Sequence, residues 1–145
     1  MAGSIQTNAA NRREATQGEI EAASSNTTFP TPGRMHFHPG VAKWWFKGNV
    51  SGSALASYNV TSLTDTGTGD VAVTIGNDFS GADWCCVSGG ERTTSTATAT
   101  NARDISIKTG TLAAGSVSFE CWDKAATTNA LKDPGSWHAA GFGDL

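Results

Sequence analysis

The chain has 145 residues and a mass of 15.0 kDa, room for one domain of ordinary size. Ala, Thr, Gly and Ser make up 71 positions whereas Leu, Ile, Val and Phe supply only 23, yet the net charge of −3 and five Trp residues argue against disorder and for a small-residue β-domain with aromatic anchors. Ten Lys plus Arg against thirteen Asp plus Glu leave no positive field for phosphate, which excludes nucleic acid as the leading partner.

Taken in chain order, residues 1–39 read as an N-terminal arm. Thr16 and Glu19 have capping-box spacing and predict a short helix over Gln17–Ala23. Gly18 and a small apolar stripe of Ile20, Ala22 and Ala23 leave that helix in need of a partner surface. Pro30 and Pro32 then predict an extended path ending at Gly33.

Residues 40–145 change to short alternating runs separated by turn formers, the pattern of an all-β, antiparallel, jelly-roll-like β-sandwich. The expected strands are Ala42–Lys47, Leu55–Val60, Val71–Ile75, Trp84–Ser88, Thr93–Thr98, Ile105–Lys108, Val117–Trp122 and Trp137–Phe142. Val71, Val73 and Ile75 fall on one face, as do Val117, Phe119 and Cys121, and both sets are expected in the core. Between Val60 and Val71, Gly67 and Gly69 beside Asp65 and Asp70 predict a hairpin connection. The adjacent Trp44 and Trp45 must point to opposite faces, one into the core and one outward.

Chemistry is sparse. His36 and His38, with His138 or a cysteine, form no three- or four-ligand metal spacing, and no cofactor is implied. Asp65, Asp70, Asp78 and Asp83 lie near turns and read as turn caps, with His138 as the remaining candidate base, and neither a GxSxG elbow nor an HExxH helix is present. The vicinal Cys85 and Cys86 point to opposite faces of a strand, so at most one meets a given base, and no enzyme activity is expected. With Cys121 they are odd in number and read as reduced thiols. Sequons begin at Asn26, Asn49 and Asn59 but carry no weight in so Thr- and Ser-rich a chain. The start MAGSIQTNAANRRE lacks the basic end and apolar centre of a signal peptide, and no apolar run approaches about 18 residues, so neither export nor membrane insertion is expected.

The segments ATQGEIEAASS, TPGRMHFHPGVAKWW, LASYNVTSLTDTGTGDVAVT and DPGSWHAAGFGD, in that order, resemble segments of the fibre and surface proteins of tailed-bacteriophage virions, over about Ala15 to Asp144. The double cysteine in TIGNDFSGADWCCVSG departs from that pattern. The resemblance implies a non-enzymatic, β-rich structural protein of the virion, assembled in the host cytoplasm, fibre-like and exposed on the particle, trimeric, attached by its N-terminal segment to other virion proteins and able to contact the host surface. Ile20, Phe29, Phe37, Trp44 and Trp45 are the candidate anchoring and interface residues, and Arg12, Arg13 and Arg34 the cations available to pair with an acidic scaffold. The alternatives are a capsid decoration or head-fibre protein, and a free carbohydrate-binding module that uses exposed Trp to recognise a surface glycan.

Overall fold

The structure, a computed structural model, describes residues 13–23, 27–93, 102–124 and 130–145. The chain forms two compact units, Met1–Val41 and Ala42–Leu145.

In the first unit, helix α1 (Gln17–Glu21) begins with the predicted capping box. The Glu19 N–H donates to Thr16 Oγ1 at 3.3 Å, and the Thr16 N–H donates to Glu19 Oε2 at 3.0 Å. The Arg13 guanidinium grips the same carboxylate, Nη1 donating to Oε2 at 2.8 Å. Arg13, followed by the Thr16 donors, holds the Glu19 carboxyl down to about 2. The helix stops at Glu21 rather than Ala23, because Ala22 is its C-cap and Ala23 turns to a φ of 49°.

The predicted extended path to Gly33 is corrected: Pro32–Met35 form helix α2. Proline at the first helical position has its φ already set and lacks only an N–H that would have no intrahelical partner. Thr31 Oγ1 and Arg34 Nε donate to Glu14 at 2.6 and 3.2 Å, and a parallel bridge joins Glu14 to Phe29. These bonds tie Glu14 to Phe29, Thr31 and Arg34 within the first unit.

The second unit contains strands β1 (Trp44–Asn49), β2 (Ala54–Tyr58), β3 (Val60–Gly67), β4 (Asp70–Ile75), β5 (Cys85–Glu91), β6 (Arg103–Ile107), β7 (Ser116–Asp123), β8 (Ala130–Leu131) and β9 (Ser136–Phe142). One sheet runs β2-β1-β9-β5, and the other runs β3-β4-β7-β6 with β8 paired to β7. Every pairing between these strands is antiparallel. The two sheets share one core, as the all-β sandwich predicted from alternation requires, and the first and last strands lie side by side in it. The predicted strand Thr93–Thr98 falls mostly on residues outside those described. The predicted connection after Val60 is mostly strand: β3 continues to Gly67, leaving a tight turn in which Gly69 takes a φ of 69°. A side chain at Gly69 would collide with the backbone of Cys121 and Lys132, so glycine is required there on two counts.

Between β2 and β3 the chain passes from the first sheet to the second at one residue, Asn59, which adopts a φ of 53°. Asparagine tolerates this left-handed geometry better than most residues. Its side chain secures the corner: Nδ2 donates to the carbonyls of Lys43 (3.0 Å) and Asn77 (3.3 Å), while Oδ1 accepts the Asn77 N–H at 2.7 Å.

The core is aromatic where aliphatics are scarce. Trp44 lies fully enclosed, stacked with Phe46 (6.2 Å between centroids), edge-on to Trp84 (5.7 Å) and tilted against Phe119 from the opposite sheet (6.5 Å). Val71, Val73, Ile75, Val117, Phe119 and Cys121 are all buried, as their alternation predicted. Asp123 continues that inward face, and its charge is met by Arg103 at 3.3 Å on the neighbouring strand and by Lys132 at 3.3 Å.

Substituting Asn59→Ala removes three hydrogen bonds at a half-buried corner and forces alanine into a left-handed backbone. Urea unfolding is expected to show a loss of about 2–4 kcal/mol. Asn59→Gly, which keeps the backbone but not the bonds, is expected to fall between alanine and wild type.

Candidate functional site

The strand alternation that buries Trp44 and Phe46 sends Trp45 and Lys47 to the outward face of the first sheet. Register then builds a row across all four strands of that sheet. Tyr58 on β2 lies opposite Trp45 on β1, Trp45 opposite Ala140 on β9, and Ala140 opposite Val87 on β5. Trp45 is 41% exposed, Tyr58 51% and Val87 61%, although all three carry large apolar groups. Among the five Trp residues, Trp45 alone is exposed.

The next row is polar and small: Ala56, Lys47, His138 and Gly89. Beyond it, Glu91 on β5 lies opposite Ser136 on β9. Lys47 Nζ reaches Glu91 Oε1 at 3.1 Å, and His138 Nε2 lies 3.7 Å from the same oxygen. The hydrogen bond from Lys47 holds the Glu91 carboxyl below the usual carboxylate range. Ser136 Oγ and His138 Nε2 share a hydrogen bond of 2.8 Å. Between the apolar and polar rows lies an open depression of about 390 Å³, lined by Trp45, Val87, Gly89, His138 and Ala140 among others. Glycine and alanine at its floor keep the aromatic wall accessible.

The outward face of the second sheet differs. On β4 and β7 it carries Ala72, Thr74, Ser116, Ser118 and Glu120, and its ion pairs join Lys108 to Asp70 and Glu120. Among the described residues its one aromatic, Trp122, is half-buried opposite Leu131 of β8. The sandwich therefore has one aromatic and one hydroxyl-rich face.

The sequence-predicted residues separate in this frame. Trp44, expected among the interface residues, is a core residue, because its strand turns it inward to fill the space between the sheets. Trp45 is the outward member of the pair. Ile20 is buried and lines a small cavity of the first unit with Ala15, Ala23, Pro30 and Met35. Phe29 is exposed, and Phe37 is half-buried and packed on the His36 ring at 4.1 Å. Arg13 and Arg34 are engaged with Glu19 and Glu14, and Arg12 lies outside the described residues.

The candidate catalytic groups do not converge. Asp65 accepts the Gly67 N–H at 3.0 Å as a turn cap, Asp70 pairs with Lys108 on the second sheet, and His138 stands on the outward face of the first. The His38 Nδ1 accepts the Gly40 N–H at 3.0 Å. Among the described residues, no three His, Cys, Asp or Glu side chains are placed to hold a metal ion. Also among them, no helix is long and apolar enough to cross a membrane. Tyr58, Val87, His138 and Glu91 were not singled out as a group by sequence, since strand register alone makes them neighbours of Trp45.

The vicinal cysteines divide as their alternation predicted. Cys85 is exposed on the outward face, opposite Phe142, whereas Cys86 is half-buried and packs against the core. Burial, and secondly the neighbouring Cys85, push the Cys86 thiol up to about 11; burial likewise pushes Cys121 up to about 11.

No family model matches the chain, and neither a curated protein nor a solved structure matches it.

A thiol reagent such as dithionitrobenzoate at about pH 8 is expected to modify one cysteine per folded chain rapidly, with Cys85→Ser removing that phase. Cys86 and Cys121 are thiolate to only about one part in a thousand at that pH and should react fully only on unfolding. Equal rates for two thiols would contradict the assigned burial.

Proposed function

We propose that this protein is a non-enzymatic structural and binding component of a tailed-phage particle, fibre-like and surface-exposed. Its first unit serves as the attachment segment and its sandwich as the displayed domain. The observation that carries the binding role is a continuous row on one outward face of the sandwich, where Tyr58, Trp45 and Val87 are all exposed, whereas Trp122 on the other outward face is half-buried. Large apolar groups that the core does not use, gathered on one rigid sheet, are the ordinary mark of a recognition surface.

Two further features favour the reading. Asp65 and Asp70, the carboxylates nearest in sequence to a catalytic pair, are committed to a turn and to an ion pair, which suits a scaffold better than an acid–base centre. The division at Val41 gives the chain an N-terminal unit with its own hydrogen-bond and ion-pair set, the organisation an attachment segment needs. The resemblance of four segments to phage fibre and surface proteins is the ground for the particle context and for the proposed trimer.

Immunogold labelling of particles made with the full chain is expected to place the protein on the particle surface. A chain truncated to residues 42–145 is expected to remain folded by circular dichroism and to be absent from purified particles. Full incorporation of the truncated chain would overturn the attachment role, and absence of the full chain from particles would overturn the reading as a whole.

A further inference from the structure

We propose that the depression on the outward face of the first sheet is a binding site for a neutral pyranose. The inference rests on the binding-module reading above and names the ligand of that same face.

The chemistry of the face selects the ligand. A pyranose ring has one face of C–H groups, weakly positive, which packs on the negative face of an indole or phenol ring. Trp45 lines the depression, and Tyr58, its direct cross-strand partner, emerges beside it. Sugar hydroxyls both donate and accept, and so require donors and acceptors in alternation. His138 lines the depression, and Lys47 and Glu91, paired with each other, stand just beyond it as one donor and one acceptor. The Lys47–Glu91 pair contributes no net charge, which disfavours a strongly anionic or cationic ligand and favours an uncharged one.

Size decides between a sugar and a protein. The depression measures about 390 Å³, toward the small end of ligand sites, which run from roughly 300 to 1,000 Å³. A stable protein interface needs roughly 800 Å² from each partner. The apolar row is four residues long, includes the small Ala140, and is flanked by Lys47 and His138 on one side and by Cys85 and Phe142 on the other. A second copy laid on this face would have to desolvate Lys47, His138 and Glu91. A sugar ring meets both rows with its two kinds of surface.

The test uses the full-length chain with galactose, glucose, mannose and N-acetylglucosamine, measured by saturation-transfer-difference NMR and by calorimetry. At least one sugar is expected to bind saturably at millimolar concentration, with its C–H protons receiving the strongest transfer. Trp45→Ala is expected to weaken binding by about tenfold or more. Trp45→Phe, which keeps a smaller ring, should fall between alanine and wild type, and Glu91→Gln should weaken binding severalfold. No saturable binding of any of the four, or unchanged binding by folded Trp45→Ala, would overturn the site. So would a wild-type oligomer that Trp45→Ala alone dissolves, since a second copy would then cover the face. Particle incorporation of Trp45→Ala is measured alongside. Normal incorporation without sugar binding by the wild-type protein would sink this inference alone, whereas loss of the wild-type chain from particles would sink the functional reading beneath it.

Discussion

Trp44 occupies the space between two sheets that have little else to fill it. A sandwich of this size ordinarily rests on layers of Leu, Ile and Val, and here those residues are replaced over much of the chain by Ala, Gly, Ser and Thr. The indole of Trp44 reaches Phe46 on its own strand, Trp84 beside it and Phe119 across the core, and Trp84 is stacked in turn on Phe79 at 4.5 Å. This aromatic chain supplies the contact area that aliphatics would otherwise provide. It also dictates its neighbours: Gly141 lies opposite Trp44 on β9, and any side chain there would overlap the indole.

Fixing Trp44 inward fixes the rest of the first sheet. With a period of two, Trp45 must then face out, and pairing carries that choice to Tyr58, Ala140 and Val87. A slip of one residue would bury Lys47 and expose Phe46, so the hydrophobic demand of the core and the exposure of the aromatic row are one constraint seen from two sides. The polar edge of Lys47, His138 and Glu91 follows from the same register. The displayed face is thus as rigid as the core beneath it, the property that a recognition surface benefits from most.

Much of this was legible in the sequence because it depends on short-range periodicity. The alternation of Val71, Val73 and Ile75, and of Val117, Phe119 and Cys121, identified core strands, and Thr16 with Glu19 marked a helix start. The opposition of Trp44 and Trp45 was legible too, but not which of them turned inward, since that depends on where Gly141 and Phe119 sit. The helix at Pro32–Met35 was missed because the proline pair reads as extended until Thr31 is seen to bond Glu14 from far along the chain. The outward site was the least legible part: it draws on β1, β2, β5 and β9, and only long-range pairing assembles it. Asp123 escaped notice for the same reason, an inward charge being sensible only beside Arg103.

The division of labour between the adjacent tryptophans is tested most directly by equilibrium urea unfolding of two single variants. Trp44→Ala is expected to cost about 3–5 kcal/mol, the usual range for emptying a large aromatic from a core. Trp45→Ala is expected to cost no more than about 1 kcal/mol, the range of the cross-strand pair it makes with Tyr58. Comparable destabilisation by both, or a greater loss from Trp45→Ala, would contradict the account, because the outward ring would then be holding the sandwich together instead of standing free for a ligand.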